Sequence, residues 1–306
     1  MAAVRTTDQR EDRPISRAAG PVRKPSWLKI ERPSRRTFFV VSAILDRHGL
    51  ETICRDARCP NAAECWSEGT ATFLILGRTC TRSCAFCAVA KGVPTPARPE
   101  EPGALAAAVK ALGLRYVVIT SVTRDDLADG GAGHFGASVR AVKDANPGVK
   151  VEVLIPDFGG NDRSLRKVVE AGPDLINHNI ETTEAVYPQI GRPAANYRRS
   201  LEVLNRAKKL GATTKSGLII GLGESRDDLV QAFEDLRTAG CDFLTVGQYL
   251  QPAREAMPVV RYYDPAEFDE IRELALGLGF KGAVAGPLVR SSYHAQRLFD
   301  ASGQRN

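Results

Sequence analysis

From residue 73 onward the chain alternates between two hydrophobic rhythms. Short apolar runs read as strands buried on both faces: FLILG (73–77), YVVITSV (116–122), KVEVLIPD (150–157), DLINHNIE (174–181), KSGLIIGLG (215–223) and DFLTVGQYL (242–250). Between and after them, apolar positions recur at helical spacing in ALAAAVKAL (104–112), FGASVRAVKDA (135–145), SLRKVVEAG (164–172), YRRSLEVLNRAKKLG (197–211), RDDLVQAFEDLRTAG (226–240) and PAEFDEIRELALGLG (265–279). The last four of these stretches end on Gly172, Gly211, Gly240 and Gly279, good helix stops. The alternation predicts an α/β fold with six parallel strands, closing part-way into a barrel or opening as a doubly wound sheet. Polar residues gather where the strands end: Thr120 and Ser121, Asp157, Asn177 to Asn179 with Glu181, Glu224, and Gln248. In parallel βα folds that rim is where sites are built.

The N-terminal quarter follows other rules. Residues 1–33 carry Pro14, Pro21, Pro25 and Pro33 without periodicity and read as an irregular arm. SRRTFFVVSAILDRHG then offers Ser34 as N-cap, apolar Phe38, Val41, Ile44 and Leu45, and Gly49 as a stop, which predicts one amphipathic helix. The expected organisation is an arm (1–33), a helix leading into a cysteine-rich loop (34–72), a βα domain (73–285) and a C-terminal extension (286–306).

Charge sharpens that division. The chain's net charge is +6. Residues 1–36 hold ten Lys/Arg and four Asp/Glu, so 10 − 4 accounts for the whole excess. A basic tail on a balanced body gives little reason to expect nucleic acid. The sequence offers no run of eighteen apolar residues and no apolar core of an export signal, so neither a membrane span nor secretion is expected. The expected location is the cytoplasm. In a reducing compartment, clustered cysteines bind metal or do chemistry more often than they form disulfides.

Six of the seven cysteines fall between positions 54 and 87. Cys80, Cys84 and Cys87 are spaced C-x3-C-x2-C directly after the first predicted strand, and Cys54, Cys59 and Cys65 are spaced C-x4-C-x5-C just upstream. A structural zinc site wants a fourth Cys or His, and His48, His134, His178 and His294 all lie more than ten residues from the Cys80 run. Three thiolates on one tight loop suit a [4Fe–4S] cube with its fourth iron open to a small ligand. A zinc loop or reactive core thiols are the competing reading. Cys241 stands far from both runs and reads as a buried small residue.

Cys80-x3-Cys84-x2-Cys87, with Phe86 before the last cysteine, resembles the signature of the radical S-adenosylmethionine (SAM) superfamily, and GLIIGLGE (217–224) resembles that superfamily's fifth-strand motif. The resemblance implies a partial (β/α)6 barrel with N- and C-terminal extensions. It also implies SAM chelated by the open iron and cleaved reductively to a 5′-deoxyadenosyl radical. Within the superfamily, the Cys54/Cys59/Cys65 run and RSSY (290–293) resemble the lipoyl synthase family, as do CPNAAECW, GTATFLILG, TSVTRDDLADGGAGHF, NHNIET and GQYLQP. That resemblance implies insertion of two sulfur atoms at C6 and C8 of an octanoyl group on a lysine of a lipoyl-carrier domain. Such carriers are the acyltransferase subunit of a 2-oxoacid dehydrogenase and the glycine cleavage H protein. A reductant such as flavodoxin or ferredoxin and an iron–sulfur carrier are implied as further partners.

By the same resemblance, Cys80, Cys84 and Cys87 hold the cluster that cleaves SAM. Cys54, Cys59 and Cys65 hold an auxiliary [4Fe–4S] cluster that donates the sulfur. Its fourth ligand is a serine of RSSY, expected at Ser292, although sequence alone does not separate it from Ser291. The expected cofactor contacts are Phe86, Thr120, Asn179, Glu181 and Gly217, with Arg192 and Lys215 facing a carboxylate or carbonyl; a surface ion pair is the equal competing reading for either of these two. Arg124, Asp125 and Asp126 read as a charged loop with possible substrate contact. The arm and the C-terminal tail are expected to cover the barrel mouth. A biotin synthase-like enzyme would share the Cys80 motif but leave the Cys54 run and RSSY unexplained. A non-catalytic iron–sulfur or zinc module would leave the polar strand ends without a purpose.

Overall fold

A computed structural model of the chain describes residues 23–28, 35–56, 59, 61–67, 70–293 and 295–303. Ser34, His294 and most of the 1–33 arm lie outside them. The first described elements are α1 (Arg35–Arg47), β1 (Glu51–Thr52), the short helices α2 (Ile53–Asp56) and α3 (Ala62–Ser67), β2 (Thr70–Ile75), and the short paired strands β3 (Thr79–Cys80) and β4 (Ala90–Lys91). The regular part follows as α4 (Glu101–Leu112), β5 (Tyr116–Ser121), α5 (Ala132–Ala145), β6 (Lys150–Leu154), α6 (Asp162–Glu170), β7 (Leu175–Asn177), α7 (Ala194–Lys209), β8 (Thr214–Ile220), α8 (Arg226–Thr238), β9 (Phe243–Gln248), α9 (Pro265–Gly277), β10 (Gly282–Gly286) and α10 (Ala295–Gly303). Local chemistry sets the helix starts: Ser225 with Asp228, and Asp264 with Glu267, form reciprocal capping boxes at α8 and α9.

One eight-stranded sheet runs in the order β1-β2-β5-β6-β7-β8-β9-β10. Only β1 is antiparallel; the other pairings are parallel. Because β1 and β10 stand at its two edges, the sheet curls into a partial barrel rather than a closed one. The six expected strands are present as β2 and β5 to β9, each followed by a helix. The seventh parallel strand, β10, was not anticipated; it falls at the end of the expected 73–285 βα part.

Alternation divides the strands into two faces. Outward, Val117, Ile119, Val151 and Val153 pack on α4 to α6 through Leu105, Val109, Phe135 and Val139. Leu244 and Val246 pack on α8 and α9 through Leu229, Phe233 and Phe268. Each such side chain contributes about 1.5–3 kcal/mol by leaving water.

The inner face is arranged along the barrel axis. Near its lower end, α10 enters the lumen: Ala295 and Phe299 pack on Tyr116 and Val118, and Leu298 packs on Leu175 and Phe243. Higher up, Lys215 Nζ lies 2.6 Å from Glu152 Oε1, the two side chains being 1% and 0% exposed. Tyr116 Oη and Asn177 Nδ2 each donate to the same carboxylate at 2.8 Å. Above this ion pair the inner positions become small or polar (Thr120, Gly217, Gly247), which opens a space at the mouth. Among the described residues no helix is long and apolar enough to cross a membrane.

Candidate active site

The loop that follows β2 carries Cys80, Cys84 and Cys87 across the barrel mouth. Backbone bonds fasten it to three parts of the rim: Thr81 N to Thr123 O at 3.1 Å, Ala85 N to Ile190 O at 3.0 Å, and Met257 N to Ala85 O at 3.0 Å. Side chains add to these. Arg82 makes a two-pronged pair with Asp125, both contacts at 2.8 Å, and reaches Asp157 at 2.7 Å. Burial works against the Asp157 charge, yet Arg82 holds its carboxyl down at about 2. Arg192 Nε donates to Cys84 Sγ at 3.1 Å, and its guanidinium lies 5.8 Å from the Phe86 ring centre. All three thiols are free. Burial pushes Cys87 up to about 11, so an iron that takes it displaces a proton.

Beside this loop opens a cavity of about 460 Å³, lined by Phe86, Cys87, Asn179, Glu181 and Gly217 among others. Its polar wall is built for close approach. A Cβ at Gly217 would lie 2.8 Å from Asn179 Oδ1 and 2.9 Å from Thr245 Oγ1, so only glycine leaves this wall open. Asn179 Oδ1 is itself buried without a hydrogen-bond partner. Glu181 has φ 67°, an uncommon value for a residue with a Cβ. It is stitched to β8 by Glu181 N to Gly217 O at 3.1 Å and Ile219 N to Glu181 O at 2.7 Å. Burial pushes the Glu181 carboxyl up, and Arg192 pulls it back.

A second cavity, of about 150 Å³, is lined by Cys54, Cys59, Cys65, Ser291, Ser292 and Tyr293 together with a few neighbours. The fold thus unites the upstream cysteines with an RSSY segment more than 200 residues away in the chain. α2, α3, the segment between them that carries Cys59, and the turn after β10 supply these residues; Asn61 Nδ2 donates to Leu288 O at 2.5 Å across the join. Burial first, and Cys54 next, push Cys59 up to about 11. Ser292 lines this cavity alone, whereas Ser291 lines both. The two cavities share Ile53, Leu154, Arg290 and Ser291 as walls.

The expected contacts fall on two adjoining cavities, with Asn179 and Glu181 lining both. Phe86, Asn179, Glu181 and Gly217 line the larger cavity. Arg192 and Thr120 line a smaller one of about 130 Å³ behind the cysteine loop, where Thr120 Oγ1 is already committed to Leu154 O at 3.0 Å. Lys215 stands apart from both: its ammonium is taken by Glu152 below the mouth, and it lines none of these three cavities. Arg124, read as part of a charged substrate loop, is instead 2% exposed, and its guanidinium faces Asp126 and the backbone. Cys241 is buried as expected, its thiol donating to Phe243 O. Sequence reasoning missed Lys24, which lines the larger cavity from the N-terminal segment, where Trp27 Nε1 donates to Tyr263 O at 3.2 Å. It also missed Leu154, a wall of all three cavities. Neither carries a local signal: one is a lysine in a proline-rich arm, the other a leucine in a strand.

A partial parallel barrel with a three-cysteine loop at its mouth defines a class. Residues 74–236 match the model of the radical SAM superfamily, and the chain belongs to it. The likeness extends to SuiB from Streptococcus suis bound to precursor peptide SuiA, with a TM-score of 0.55 at 12% identity over 82% of this chain and 53% of that one. The same protein bound to S-adenosylmethionine gives a TM-score of 0.53 at 12% identity over 70% of this chain and 49% of that one. At these identities the likeness concerns the fold alone. The nearer kinship is specific. The chain is 52% identical to the lipoyl synthase of Chlorobaculum tepidum over 280 residues, 91% of this chain and 96% of that one. It is equally identical to the lipoyl synthase of Caldicellulosiruptor bescii over 281 residues, with the same shares covered. The chain therefore belongs to the lipoyl synthase family.

Membership in the superfamily implies a [4Fe–4S] cluster and SAM. The Cys80 loop fits them on its own chemistry. Three soft sulfur donors stand beside a cavity that presents an unpartnered buried acceptor, Asn179 Oδ1, and a wall kept free of Cβ at Gly217. Among the described residues no three His, Cys, Asp or Glu side chains stand close enough to share one ion. A cube takes each thiolate on a different iron and asks for wider spacing.

Proposed function

We propose that this chain inserts two sulfur atoms, at C6 and C8, into an octanoyl group held as an amide on a lysine of a lipoyl-carrier domain. The observation that supports this best is the common wall: the cavity beside Cys87 and the cavity containing Cys54, Cys59 and Cys65 adjoin across Ile53, Leu154, Arg290 and Ser291. An acyl carbon lying against that wall is next to both sites without relocation. The cofactors, when bound, supply hydrogen abstraction from carbon at one site and sulfur at the other.

The protein's own groups divide the work. Cys80, Cys84 and Cys87 hold the SAM-binding cluster, with Arg192 directing an N–H at the Cys84 sulfur. Asn179, Glu181 and Gly217 present the polar wall to SAM, and Phe86 an apolar one. Val89, Leu218, Leu250 and Val289 give the larger cavity an apolar lining that suits an alkyl chain and disfavours water. Cys54, Cys59, Cys65 and Ser292 hold the second [4Fe–4S] cluster. A serine oxygen is a harder ligand than thiolate, and a weakly matched corner is a reasonable place to release iron and expose sulfide. Partners follow from the reading: acyl-carrier domains of dehydrogenase and glycine-cleavage type, a flavodoxin or ferredoxin reductant, and an iron–sulfur carrier to rebuild the spent cluster.

Anaerobic reconstitution should give about eight iron and eight sulfide per chain, and about four once Cys54, Cys59 and Cys65 are replaced by Ala. Incubation with SAM, reductant and an octanoyl-lysine peptide should yield 5′-deoxyadenosine and a peptide heavier by two sulfurs. Deoxyadenosine without a mass gain, from protein carrying both clusters, would leave the superfamily assignment and remove the sulfur insertion.

A further inference from the structure

Three residues of the motif TSVTRDDLADGGAGHF, Arg124, Gly131 and His134, have no part in the chemistry above, yet they converge on one backbone unit. Leu76 is the residue after β2 and stands just ahead of Cys80. Its φ is 66°, in the left-handed region that a residue with a Cβ rarely occupies, and it is 1% exposed. Its N–H donates to Glu101 Oε2 at 2.9 Å, and its carbonyl accepts from Arg124 Nη1 at 2.9 Å. Its side chain lies against Gly131, where a Cβ would be 2.3 Å from Leu76 Cδ1. The gripping groups are gripped in turn. His134 Nε2 lies 2.7 Å from Glu101 Oε2, and Asp126 holds the Arg124 guanidinium with contacts of 2.8 and 2.9 Å. A strained backbone conformation persists only where its surroundings over-determine it, and here N–H, carbonyl and side chain are all held.

We propose that Glu101, Arg124 and His134 are positioning residues for the radical chemistry: they hold Leu76 left-handed and so set the direction in which the Cys80–Cys87 loop leaves β2. The inference rests on the reading that this loop binds the SAM-cleaving cluster. Cys84 and its neighbour Ala85 are secured separately, by Arg192 and by Ile190 O. Cys80 leaves the strand end through Leu76, Gly77, Arg78 and Thr79; it is tied further on by Gly92 N to its own carbonyl and by Thr81 N to the carbonyl of Thr123, the residue that precedes Arg124 of the clamp. If Leu76 relaxes to extended backbone, Cys80 shifts relative to Cys84 and Cys87, and the three thiols no longer match one cube. The clamp therefore acts on the spacing of ligands and touches no substrate atom.

The test compares wild type with Arg124→Met, His134→Ala and His134→Gln, the last of which can still donate to Glu101. In metal-free protein, hydrogen exchange should quicken about tenfold over residues 77–87 in Arg124→Met and His134→Ala. Exchange in β5 and β8 should stay at the wild-type rate, and His134→Gln should recover most of the protection. After reconstitution, iron in Arg124→Met should fall from about eight towards about four per chain, with loss of the reduced-cluster paramagnetic signal that responds to SAM. The remaining iron should stay with Cys54, Cys59 and Cys65. Wild-type exchange over 77–87 together with an undiminished SAM-responsive signal would overturn the proposal. So would a uniform loss of protection across the barrel, which would make these groups ordinary core contacts. A wild-type protein with no SAM-responsive signal would instead sink the assignment of the loop, and the exchange arm on metal-free protein would still decide the clamp.

Discussion

Replacing Lys215 by Met tests where that lysine acts. Its ammonium pairs with Glu152 at 2.6 Å, and both groups are out of water. Removing one member of such a pair strands the other charge and costs about 3–5 kcal/mol. Glu152 would keep two donors, Tyr116 Oη and Asn177 Nδ2, each at 2.8 Å, which places the expected loss near the lower figure, about 3 kcal/mol. With a urea slope of about 3 kcal/mol per molar, that is a midpoint lowered by about 1 M. The double variant Glu152→Gln with Lys215→Met removes both charges and keeps hydrogen-bonding capacity, so it should return to within about 1.5 kcal/mol of wild type. The assay is urea unfolding of metal-free protein, read by far-UV circular dichroism, with SAM affinity of reconstituted protein measured in parallel. A midpoint shift under about 0.3 M in the single variant, or a double variant no better than the single, would refute the reasoning. An unchanged midpoint with weakened SAM binding would restore Lys215 to the cofactor site.

Three further outcomes follow. Gly217→Ala should weaken SAM binding about tenfold or more in equilibrium dialysis, because its methyl would lie 2.8 Å from Asn179 Oδ1 and 2.9 Å from Thr245 Oγ1; an unaltered Kd would show that SAM does not use this wall. Ser292→Ala should lose iron from the three-cysteine cavity faster on chelator challenge than Ser291→Ala, since only Ser292 faces that cavity alone; the reverse order would exchange their roles. Asp157, held at about 2 in the folded chain, stabilises it by about 2 kcal/mol above pH 4, and that increment is lost as pH falls through about 2. The stability gap between wild type and Asp157→Asn should therefore shrink between pH 4 and pH 2, and a gap that stays constant would contradict the pairing with Arg82.

Much of this could be read from the chain because burial on both faces makes parallel strands conspicuous. The strands β2 and β5 to β9 are rich in large apolar residues, whereas β10 is GAVAG. Glycine and alanine carry little hydrophobic signal, and the inner surface at Gly282 is filled by Leu298 of α10 rather than by its own side chain. The cysteine runs stood out because close spacing along the chain brings three thiols to one place, as the lining of the second cavity shows for Cys54, Cys59 and Cys65. Arg192 on Cys84 was not, since 108 residues separate them and only the return of the chain after β7 makes the contact. For Lys215 the chain left ligand contact and ion pair open, because a charged residue on an apolar strand resembles a ligand group, and the structure shows a buried pair with Glu152. The missing cue was its complement, the lone acid Glu152 in KVEVL. An acid in one buried strand and a base in another invite pairing before either invites a ligand.

The C-terminal helix in the lower lumen turns the barrel into a blind alley. Among the described residues the floor is filled, so an extended chain that enters at the mouth stops there. The octanoyl chain proposed above would be threaded tip first, and its carrier domain, too large to follow, would stay outside as a cork behind it. The stopper and the wall bearing Ser291 and Ser292 are also a single stretch of peptide, running from doorway to floor.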